Sequence, residues 1–351
     1  MKAKTLSDIA ANTGWSVTTV SRVLSGNAHK YRIPPSTVRT VMEEARRSGY
    51  LLKATAQNLR KQKSNIVGLL LPSVSNPYFA DIASGIITEL SKSGFTTIII
   101  DTMEDSEKLA ENAKSFLGGR AEGIIAVPCG EEAAVLEMVN KQLPVVLVDR
   151  YYEDSSLSYV VTNNYQGGKE GTQRLLSLGH RRIACIQGVP ASTPNKERVK
   201  GFLDALREER VHEFVIAGND FSIQNGYLET KLLLNAEKPP TAIFALSNTI
   251  LMGAYKAIAE SGLRIPEDIS VLSFDDNIYM DYMTPAIERI GQPVHDMAVL
   301  AVKILIDKIN GFSRSETHIR LTPSFIRRAS VSAPRDETRA DATAALRPRQ
   351  P

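Results

Sequence analysis

The feature that most constrains this chain is an alternation of apolar, strand-like runs with amphipathic helical stretches from Ile66 onward. The runs are, in order, Ile66–Pro72, Thr96–Asp101, Gly123–Pro128, Val145–Asp149, Ile183–Gly188, Phe214–Gly218, Ala242–Ser247 and Ile269–Asp275. Strand, helix and strand repeating about every 30 residues is typical of parallel sheets covered by helices on both faces. The pattern predicts an α/β fold with doubly wound parallel sheets.

The runs form two groups of four, separated by a polar stretch around Val161–Gly168. Two similar lobes, each a doubly wound sheet, are the simplest interpretation. One further strand candidate, His318–Arg328, must return to these sheets. The tail 332–351 has no aromatic residue, one Leu and mixed charge, and such a composition predicts disorder.

The charge is divided unevenly along the chain. Residues 1–64 contain 12 Lys and Arg against three acidic residues, a balance of +9, whereas residues 65–351 contain 30 against 36, a balance of −6. A basic head on an acidic body indicates that the head meets a polyanion. A solvated charged face is the alternative.

Several protein classes are disfavoured by the sequence. No apolar run approaches the ~20 residues that a membrane span needs, and an amphipathic segment rather than an apolar one follows Lys2 and Lys4, so no secretory signal is expected. Cys129 and Cys185 both lie in apolar stretches. Buried, reduced thiols are typical of cytoplasmic proteins, and we expect that location.

The segment Thr5–Leu24 predicts a helix-turn-helix within a head of residues 1–50. Thr5 or Ser7 can cap a first helix, Gly14 suits a left-handed turn, and Ser16 can cap a second helix. A small residue, a glycine four positions later and an apolar residue six after that match helix-turn-helix spacing.

The exposed face of the second helix is the predicted DNA-reading surface. Arg22 can bond a guanine edge with two hydrogen bonds, Thr18 can reach a base or a phosphate, and Val17 can touch a thymine methyl group. An ordinary helical hairpin with a solvated Arg22 is the alternative. The predicted contacts on this helix are Ser16, Val17, Thr18, Ser21 and Arg22.

The linker 51–64 is polar and basic, with weak helical character. Leu59 stands between Asn58 and Arg60, and an exposed Leu in a basic segment can act as a wedge in the minor groove. Leu59 and Arg60 are the predicted DNA contacts of this segment. A flexible linker whose Leu59 packs on the body explains the same residues equally well.

The carboxyl ends of the predicted strands are polar, and ligands bind at that edge of open α/β sheets. Two facing lobes would form a cleft suited to a hydroxyl-rich molecule. Some of these Asp residues could instead only cap the helix that follows. The strand-end candidates are Asp101, Asp149, Ser247, Asn248 and Asp275, with Phe221 just past another strand.

No arrangement of residues predicts catalysis, a metal or a cofactor. The five histidines are scattered without metal-ligand spacing, and neither a Walker loop nor a nucleophile elbow is present. Gly167-Gly168-x-x-Gly171 resembles a phosphate loop only loosely, and helix entry explains it. We therefore expect a non-enzymatic binding protein.

From about Thr5 to Arg328 the chain resembles the lactose-repressor (LacI) family. The blocks that carry the resemblance, in family order, include TLSDIAANTGWSVTTVSRVLSG, KATAQNLR, IVGLLLPSVSNPYFADIASGI, GHRRIACIQG, PTAIF, GLRIPEDISVLSFDD and the Gln292-Pro293 pair. The resemblance implies a periplasmic-binding-protein-like pair of lobes behind a DNA-binding head. It also implies a homodimeric repressor controlled by a sugar-like effector.

The resemblance further implies residue roles and boundaries. Val17, Thr18 and Arg22 would read bases, Leu59 would be a hinge leucine entering the minor groove, and Gln292 would lie near the lobe crossover. Other positions match effector contacts: Tyr78, Phe79, Asp149, Arg198, Phe221, Asp275, and either Ser247 or Asn248. The implied domains are a head (1–50), a hinge (51–64) and an effector domain (65–331), with lobes of about 65–162 plus 292–322 and 163–291 plus 323–331.

A sugar-binding transport protein of the same lobe fold is the rival interpretation. It predicts a signal peptide and no basic head, which is the reverse of this chain. An enzyme of the doubly wound class is a second rival, but it would need a nucleophile, a base or a cofactor loop.

Overall fold

The structure is a computed structural model that describes residues 5–24, 28–29, 31–48, 64–313 and 315–335. The chain divides into two compact units, Met1–Ser64 and Asn65–Pro351, which we call the head and the body. Leu59 and Arg60, both predicted to contact DNA, lie outside the described residues.

The described part of the head consists of three helices: α1 (Leu6–Thr13), α2 (Val17–Leu24) and α3 (Pro35–Arg47). Thr5 caps α1 as predicted, because its side chain accepts the Asp8 N–H at 3.4 Å while its own N–H donates to Asp8 Oδ2 at 2.6 Å. Gly14 takes the left-handed conformation with φ of 70°. The helices meet on a small buried core of Ile9, Ala10, Val20, Val23, Val41 and Ala45.

The described body contains two six-stranded sheets. The first is formed by β1 (Ile66–Leu71), β2 (Thr96–Asp101), β3 (Gly123–Ala126), β4 (Val145–Val148), β5 (Ser158–Thr162) and β11 (His318–Leu321). Its order is β11-β5-β4-β3-β1-β2, and every neighbouring pair is parallel.

The second sheet is formed by β6 (Ile183–Ile186), β7 (Phe214–Ala217), β8 (Ala242–Ala245), β9 (Ser270–Phe274), β10 (Glu288–Gly291) and β12 (Ser324–Ile326). Its order is β12-β10-β9-β8-β6-β7, and only the β10–β12 pair is antiparallel. We call the lobe around the first sheet the N-lobe and the lobe around the second the C-lobe.

Helices cover both faces of each sheet, which confirms the doubly wound architecture. The N-lobe helices are α4 (Pro77–Lys92), α5 (Ser106–Ser115), α6 (Ala134–Asn140) and α11 (Val294–Ile309). The C-lobe helices are α7 (Asn164–Ser177), α8 (Thr193–Glu208), α9 (Ile223–Leu234) and α10 (Asn248–Glu260), with a 3₁₀ turn at Ile278–Asp281. Each sheet has a buried apolar cluster on each face, and the chain crosses between lobes after β5, β10 and β11.

The strand pattern in the sequence misses β5 and β10 and joins β11 to β12. The pattern of β10 is obscured because it carries two buried charges: Glu288 is ion-paired with Arg174 at 2.6 Å, and Arg289 with Asp276 at 2.6 Å. The last candidate splits at Thr322-Pro323, where the chain leaves one sheet for the other. Proline lacks the N–H that a sheet ladder needs.

The prediction of a disordered tail from residue 332 is wrong for its first four residues. Ser332 donates its N–H to Ser270 Oγ at 3.1 Å, and its carbonyl bonds His180 Nε2 at 2.8 Å. Arg335 is ion-paired with Asp268. Contacts with C-lobe side chains therefore hold residues 332–335, and residues 336–351 lie outside the described residues.

The glycines of Gly167-Gly168-x-x-Gly171 pack closely against their neighbours: a Cβ on Gly167 would lie 2.6 Å from the ring of Phe274, and one on Gly171 would lie 2.6 Å from the ring of Phe244. A Cβ on Gly168 would lie 2.2 Å from the carbonyl oxygen of Arg198, and one on Gly201 would lie 2.2 Å from that of Tyr165. Real Cβ atoms cannot approach so closely, so glycine at both positions lets α7 and α8 touch backbone to backbone. This contact fixes the helix that carries Arg198.

Candidate functional site

Seven of the ten side chains predicted at the cleft line one small cavity between the lobes, which we call the inner cavity. Its volume is about 20 Å³, room for roughly one water molecule. Seven of its ten lining residues belong to the predicted set, and Asn76, Arg150 and Pro194 do not. The lining residues are Asn76, Tyr78, Phe79, Asp149, Arg150, Pro194, Arg198, Phe221, Ser247 and Asp275.

A chain of hydrogen bonds crosses this cavity from one lobe to the other. The Tyr78 hydroxyl, at the start of α4, lies 2.7 Å from Asp149 Oδ1 and 3.0 Å from Gln292 Oε1. Gln292 Nε2 then donates to Asp275 Oδ1 at 2.6 Å, and the Asn248 N–H donates to Asp275 Oδ2 at 2.9 Å. Gln292, predicted near the lobe crossover, is the link between the two lobes.

Both carboxylates of the cavity belong to residues that directly follow a strand and have a positive φ angle. Asp149 follows β4 with φ of 68°, and Asp275 follows β9 with φ of 76°. Positive φ is uncommon for residues other than glycine, although Asp tolerates it better than most. Local strain of this kind persists only where surrounding contacts maintain it, and it concentrates at functional sites.

Burial sets the protonation behaviour around Asp149. It raises the pKa of the Asp149 carboxyl, while Arg150 and the Tyr78 hydroxyl oppose the rise. The pKa of Tyr78 is raised well above its ordinary value by burial and by the nearby charges of Asp149 and Asp275. Tyr78 therefore stays a protonated hydrogen-bond donor at neutral pH.

Arg198, from α8, is held by neutral acceptors. Its Nε donates to Asn164 Oδ1 at 2.7 Å and its Nη1 to the Leu246 carbonyl at 2.6 Å, while its guanidinium lies 3.8 Å from the centre of the Phe274 ring. None of these hydrogen bonds goes to a carboxylate. The arrangement fixes the orientation of a buried positive charge that lines the cavity.

Arg150 is the main residue that the sequence analysis missed. Its side chain is buried, is ion-paired with Glu104, and lies between the rings of Phe79 and Phe221, 5.8 and 5.9 Å from their centres. Its Nε lies 3.7 Å from Asp149, too far for a hydrogen bond, and has no hydrogen-bond partner. The signal was present in the Asp149-Arg150 pair at the end of β4, where only the carboxylate was selected.

An outer cleft of about 660 Å³ shares Asn76, Phe79, Arg150 and Phe221 with the inner cavity. Asp101 lies on this outer cleft rather than on the inner cavity. Its carboxylate oxygens accept the N–H groups of Val74 at 3.1 Å and Met103 at 2.8 Å. These bonds give Asp101 a role in shaping the entrance loops.

The structure separates the two alternatives at the start of α10. Ser247 lines the inner cavity and caps the helix, accepting the Ile250 N–H at 3.2 Å. The Asn248 side chain is fully buried, with Nδ2 donating to Asn277 at 2.7 Å and Oδ1 accepting the Thr249 N–H at 2.7 Å. Ser247 is therefore the one with access to the cavity.

Further hydrogen bonds and ion pairs join the lobes outside the cavity. Asn277 of the C-lobe donates to Asp81 of α4 at 2.8 Å. Glu197 of α8 accepts the Tyr151 hydroxyl at 2.9 Å and is ion-paired with Arg320 of β11. The present lobe arrangement is thus stabilised by polar contacts as well as by the cavity.

In the head, every residue predicted on the reading face of α2 is exposed. Ser16 caps the helix by accepting the Thr19 N–H at 3.1 Å. Val20 and Val23 turn inward to the core, and the opposite face presents Val17, Thr18, Ser21 and Arg22 to solvent.

No helix in the described part of the chain is long and apolar enough to cross a membrane.

Comparison with known proteins identifies the family to which the chain belongs. Residues 64–311 match the family model for periplasmic binding proteins and the sugar-binding domain of the LacI family. The ribose operon repressor of Haemophilus influenzae is 30% identical over 332 residues, which cover 93% of this chain and 98% of the repressor.

Two solved structures are similar to this chain, one over about three quarters of its length and the other over nearly all of it. A LacI family transcriptional regulator from Enterococcus faecium with bound ribose is 27% identical, with a TM-score of 0.71 over 77% of this chain and 100% of that one. The lac repressor dimer bound to operator and an anti-inducer is 24% identical, with a TM-score of 0.73 over 95% of this chain and 100% of that one, and this likeness shows the fold alone.

These relatives are regulators rather than enzymes, and the curated repressor aligns over both the head and the body. A transport protein of the same lobe fold would not account for the head. The chain therefore belongs to the LacI family and is a DNA-binding transcriptional repressor controlled by a small-molecule effector.

Proposed function

We propose that the effector is an uncharged, hydroxyl-rich monosaccharide that binds at the inner cavity. Asp149, Asp275, Arg150 and Arg198 line this cavity, and Arg150 is already ion-paired with Glu104 of the adjoining outer cleft. The site therefore has no excess positive charge that would attract an anionic ligand, whereas its donors and acceptors suit hydroxyl groups.

The single observation that carries this proposal is the hydrogen-bond chain Tyr78–Gln292–Asp275 between the lobes. Hydroxyls of a bound ring would replace these bonds, so binding and lobe arrangement are coupled. Because the inner cavity has room for about one water molecule, a ring enters only when the lobes move apart or the side chains rearrange. A ligand that prefers one lobe arrangement shifts the equilibrium toward it.

Within the site, Asp275 and Arg198 are proposed to bind ring hydroxyls by charge-assisted hydrogen bonds. Tyr78, Asp149, Ser247 and Gln292 would contribute further polar contacts from both lobes. Phe79 and Phe221 would cover the ring. Asp101 and Asn248 were also predicted as effector contacts. Asp101 is now assigned to the entrance loops, and Asn248 to holding Asp275 through its N–H group.

Ribose is the first effector to test, because the names of the Haemophilus repressor and of the Enterococcus structure both specify it. A thermal-shift screen should include ribose, other pentoses, hexoses, a sugar acid and nucleobases. A ligand at 100 times its Kd stabilises by about 2.7 kcal/mol. Stabilisation by a sugar is expected; stabilisation by only the charged or the aromatic compounds would overturn the proposal.

We also propose that the protein binds its effector without converting it, since it is a sensor and its relatives are regulators. NMR of the bound compound after prolonged incubation should recover it unchanged. A cytoplasmic location, where the operator DNA lies, follows from the same role. No metal or other cofactor is required by this proposal.

The proposed DNA contacts are the exposed face of α2 in the major groove and, from the sequence and not from the described structure, Leu59 and Arg60 in the hinge. Leu59→Ala is expected to weaken operator binding while effector affinity in the DNA-free protein stays near that of wild type. Equal operator affinity in both proteins would remove the hinge leucine from the account.

A homodimer is proposed from apolar side chains that are exposed on one chain. Ile98 and Ile99 are each 41% exposed on the edge strand β2, and Leu232 on α9 and Tyr282 are 68% and 80% exposed. Apolar side chains on an unpaired edge strand can pair with a second copy of the chain. Sedimentation equilibrium should give a dimer; a monomer or a stable tetramer at micromolar concentration would contradict it.

A further inference from the structure

Between α2 and α3 the structure describes residues 28–29 and 31–34, and two turn hydrogen bonds join them. The Arg32 N–H donates to the His29 carbonyl at 3.1 Å, and the Ile33 N–H donates to the Ala28 carbonyl at 3.0 Å. Ala28 and Ile33 are half-buried against the core of the head. Tyr31 lies between Ala28 and Ile33 in the sequence and is therefore placed by these backbone hydrogen bonds and by the packing of both residues.

The ring of Tyr31 forms a platform for Arg22. Tyr31 is 45% exposed, and the central carbon of the Arg22 guanidinium lies 3.9 Å from the centre of its ring. A cation this close to the face of an aromatic ring is attracted by the electrons of the ring. Packing into the core does not explain an exposed aromatic side chain, but the contact with the predicted base-reading arginine does.

The geometry of a stack suits base reading. The central carbon of the Arg22 guanidinium lies over the Tyr31 ring at 3.9 Å, and a guanidinium that meets a ring through its flat face directs its N–H donors outward in its own plane. Those in-plane donors are the ones that approach guanine O6 and N7 together. An unsupported surface arginine must lose rotamer freedom when it binds a base, and holding it in place beforehand reduces that loss.

We propose that Tyr31 is a positioning residue for DNA recognition, which holds the Arg22 guanidinium on its ring so that Arg22 discriminates one base pair of the operator. The proposal rests on the proposed reading role of Arg22. It predicts that Tyr31 affects specificity at the base pair that Arg22 reads and at no other.

The test uses the full-length protein and an operator selected by the wild-type protein from a pool of randomised duplexes. Binding of the wild type, Arg22→Ala, Tyr31→Ala and Tyr31→Phe is measured against every single-base variant of that operator. Arg22→Ala identifies the base pair that it reads. Tyr31→Ala is expected to reduce discrimination at that same pair by about two- to fivefold, the range of an exposed cation–π contact.

Tyr31→Phe is the matched control, because it keeps the ring and removes only the hydroxyl. It should retain wild-type discrimination, and Tyr31→Ala in an Arg22→Ala background should cause no further loss at that pair. A uniform loss over all sequences in Tyr31→Ala, or an equal loss in Tyr31→Phe, would overturn the positioning role. If Arg22→Ala itself leaves discrimination unchanged at every pair, the proposed reading role fails instead, so the two failures are distinguishable.

Discussion

The replacement of Asp275 by Asn is the perturbation that bears most directly on the sensing site. Asp275 accepts one hydrogen bond on each oxygen, from Gln292 at 2.6 Å and from Asn248 at 2.9 Å. Asn is the replacement of choice because it keeps the shape of the side chain and tolerates the φ of 76°. Alanine would combine the loss of the carboxylate with backbone strain.

The magnitude follows from counting hydrogen bonds. Asn replaces one acceptor oxygen by an NH₂ group, which then faces either the Asn248 N–H or the Gln292 amide. An unsatisfied buried donor costs about 1–3 kcal/mol, and the unfolding free energy should fall by about that amount. In the Asn variant a bound sugar hydroxyl has no carboxylate to bind. A hydrogen bond to a charged group is worth about 1.5–3 kcal/mol, so effector affinity should fall roughly 10- to 100-fold.

The assay is a paired titration, with effector affinity from calorimetry and operator affinity from fluorescence anisotropy with and without effector. Asp276→Asn is the matched control, because the Asp276 side chain is ion-paired with Arg289 at 2.6 Å and does not line the inner cavity. The control should keep the wild-type response to effector. A full effector response in Asp275→Asn would refute the placement of the sensing site.

Other predictions follow from single contacts. Arg22→Ala should weaken operator binding and relax preference at one base pair by about 1–3 kcal/mol, measured by competition with single-base variants; equal losses on random DNA would make it a phosphate contact. Gly168→Ala should lower the unfolding free energy by roughly 2–3 kcal/mol in denaturant titration, because its Cβ meets the Arg198 backbone at 2.2 Å; an unchanged midpoint would contradict the close helix contact. Ile98→Asp should shift sedimentation from dimer to monomer, and a persisting dimer would place the interface elsewhere.

The sequence predicts the architecture because the period of its apolar residues is a local property. The eight runs correspond to eight strands, and Thr5 and Gly14 bound α1 as expected from their side chains. Two strands, β5 and β10, were missed although they are at least as long as the predicted strand β3. In β10 the buried charges Glu288 and Arg289 are compensated by partners distant along the chain, Arg174 and Asp276, and such pairing is invisible to a periodicity argument.

The cleft was predicted in outline for a similar reason. Strand ends meet at one edge of a parallel sheet, so Asp149 and Asp275 could be selected from the pattern. The sequence alone cannot show that Gln292 links Tyr78 to Asp275 across the lobes, or that Arg150 lies between two rings. Those contacts depend on how the two lobes pack against each other.

The central claim is that the ligand bound between the lobes controls the affinity of the head for DNA. The most direct measurement is reciprocal: operator affinity with and without ribose, or the sugar that the thermal-shift screen selects, and the affinity for that sugar with and without operator. Thermodynamic linkage requires the two ratios to be equal, and the same factor, well above one, is expected in both titrations. A sugar that binds the protein but leaves operator affinity unchanged would contradict the account.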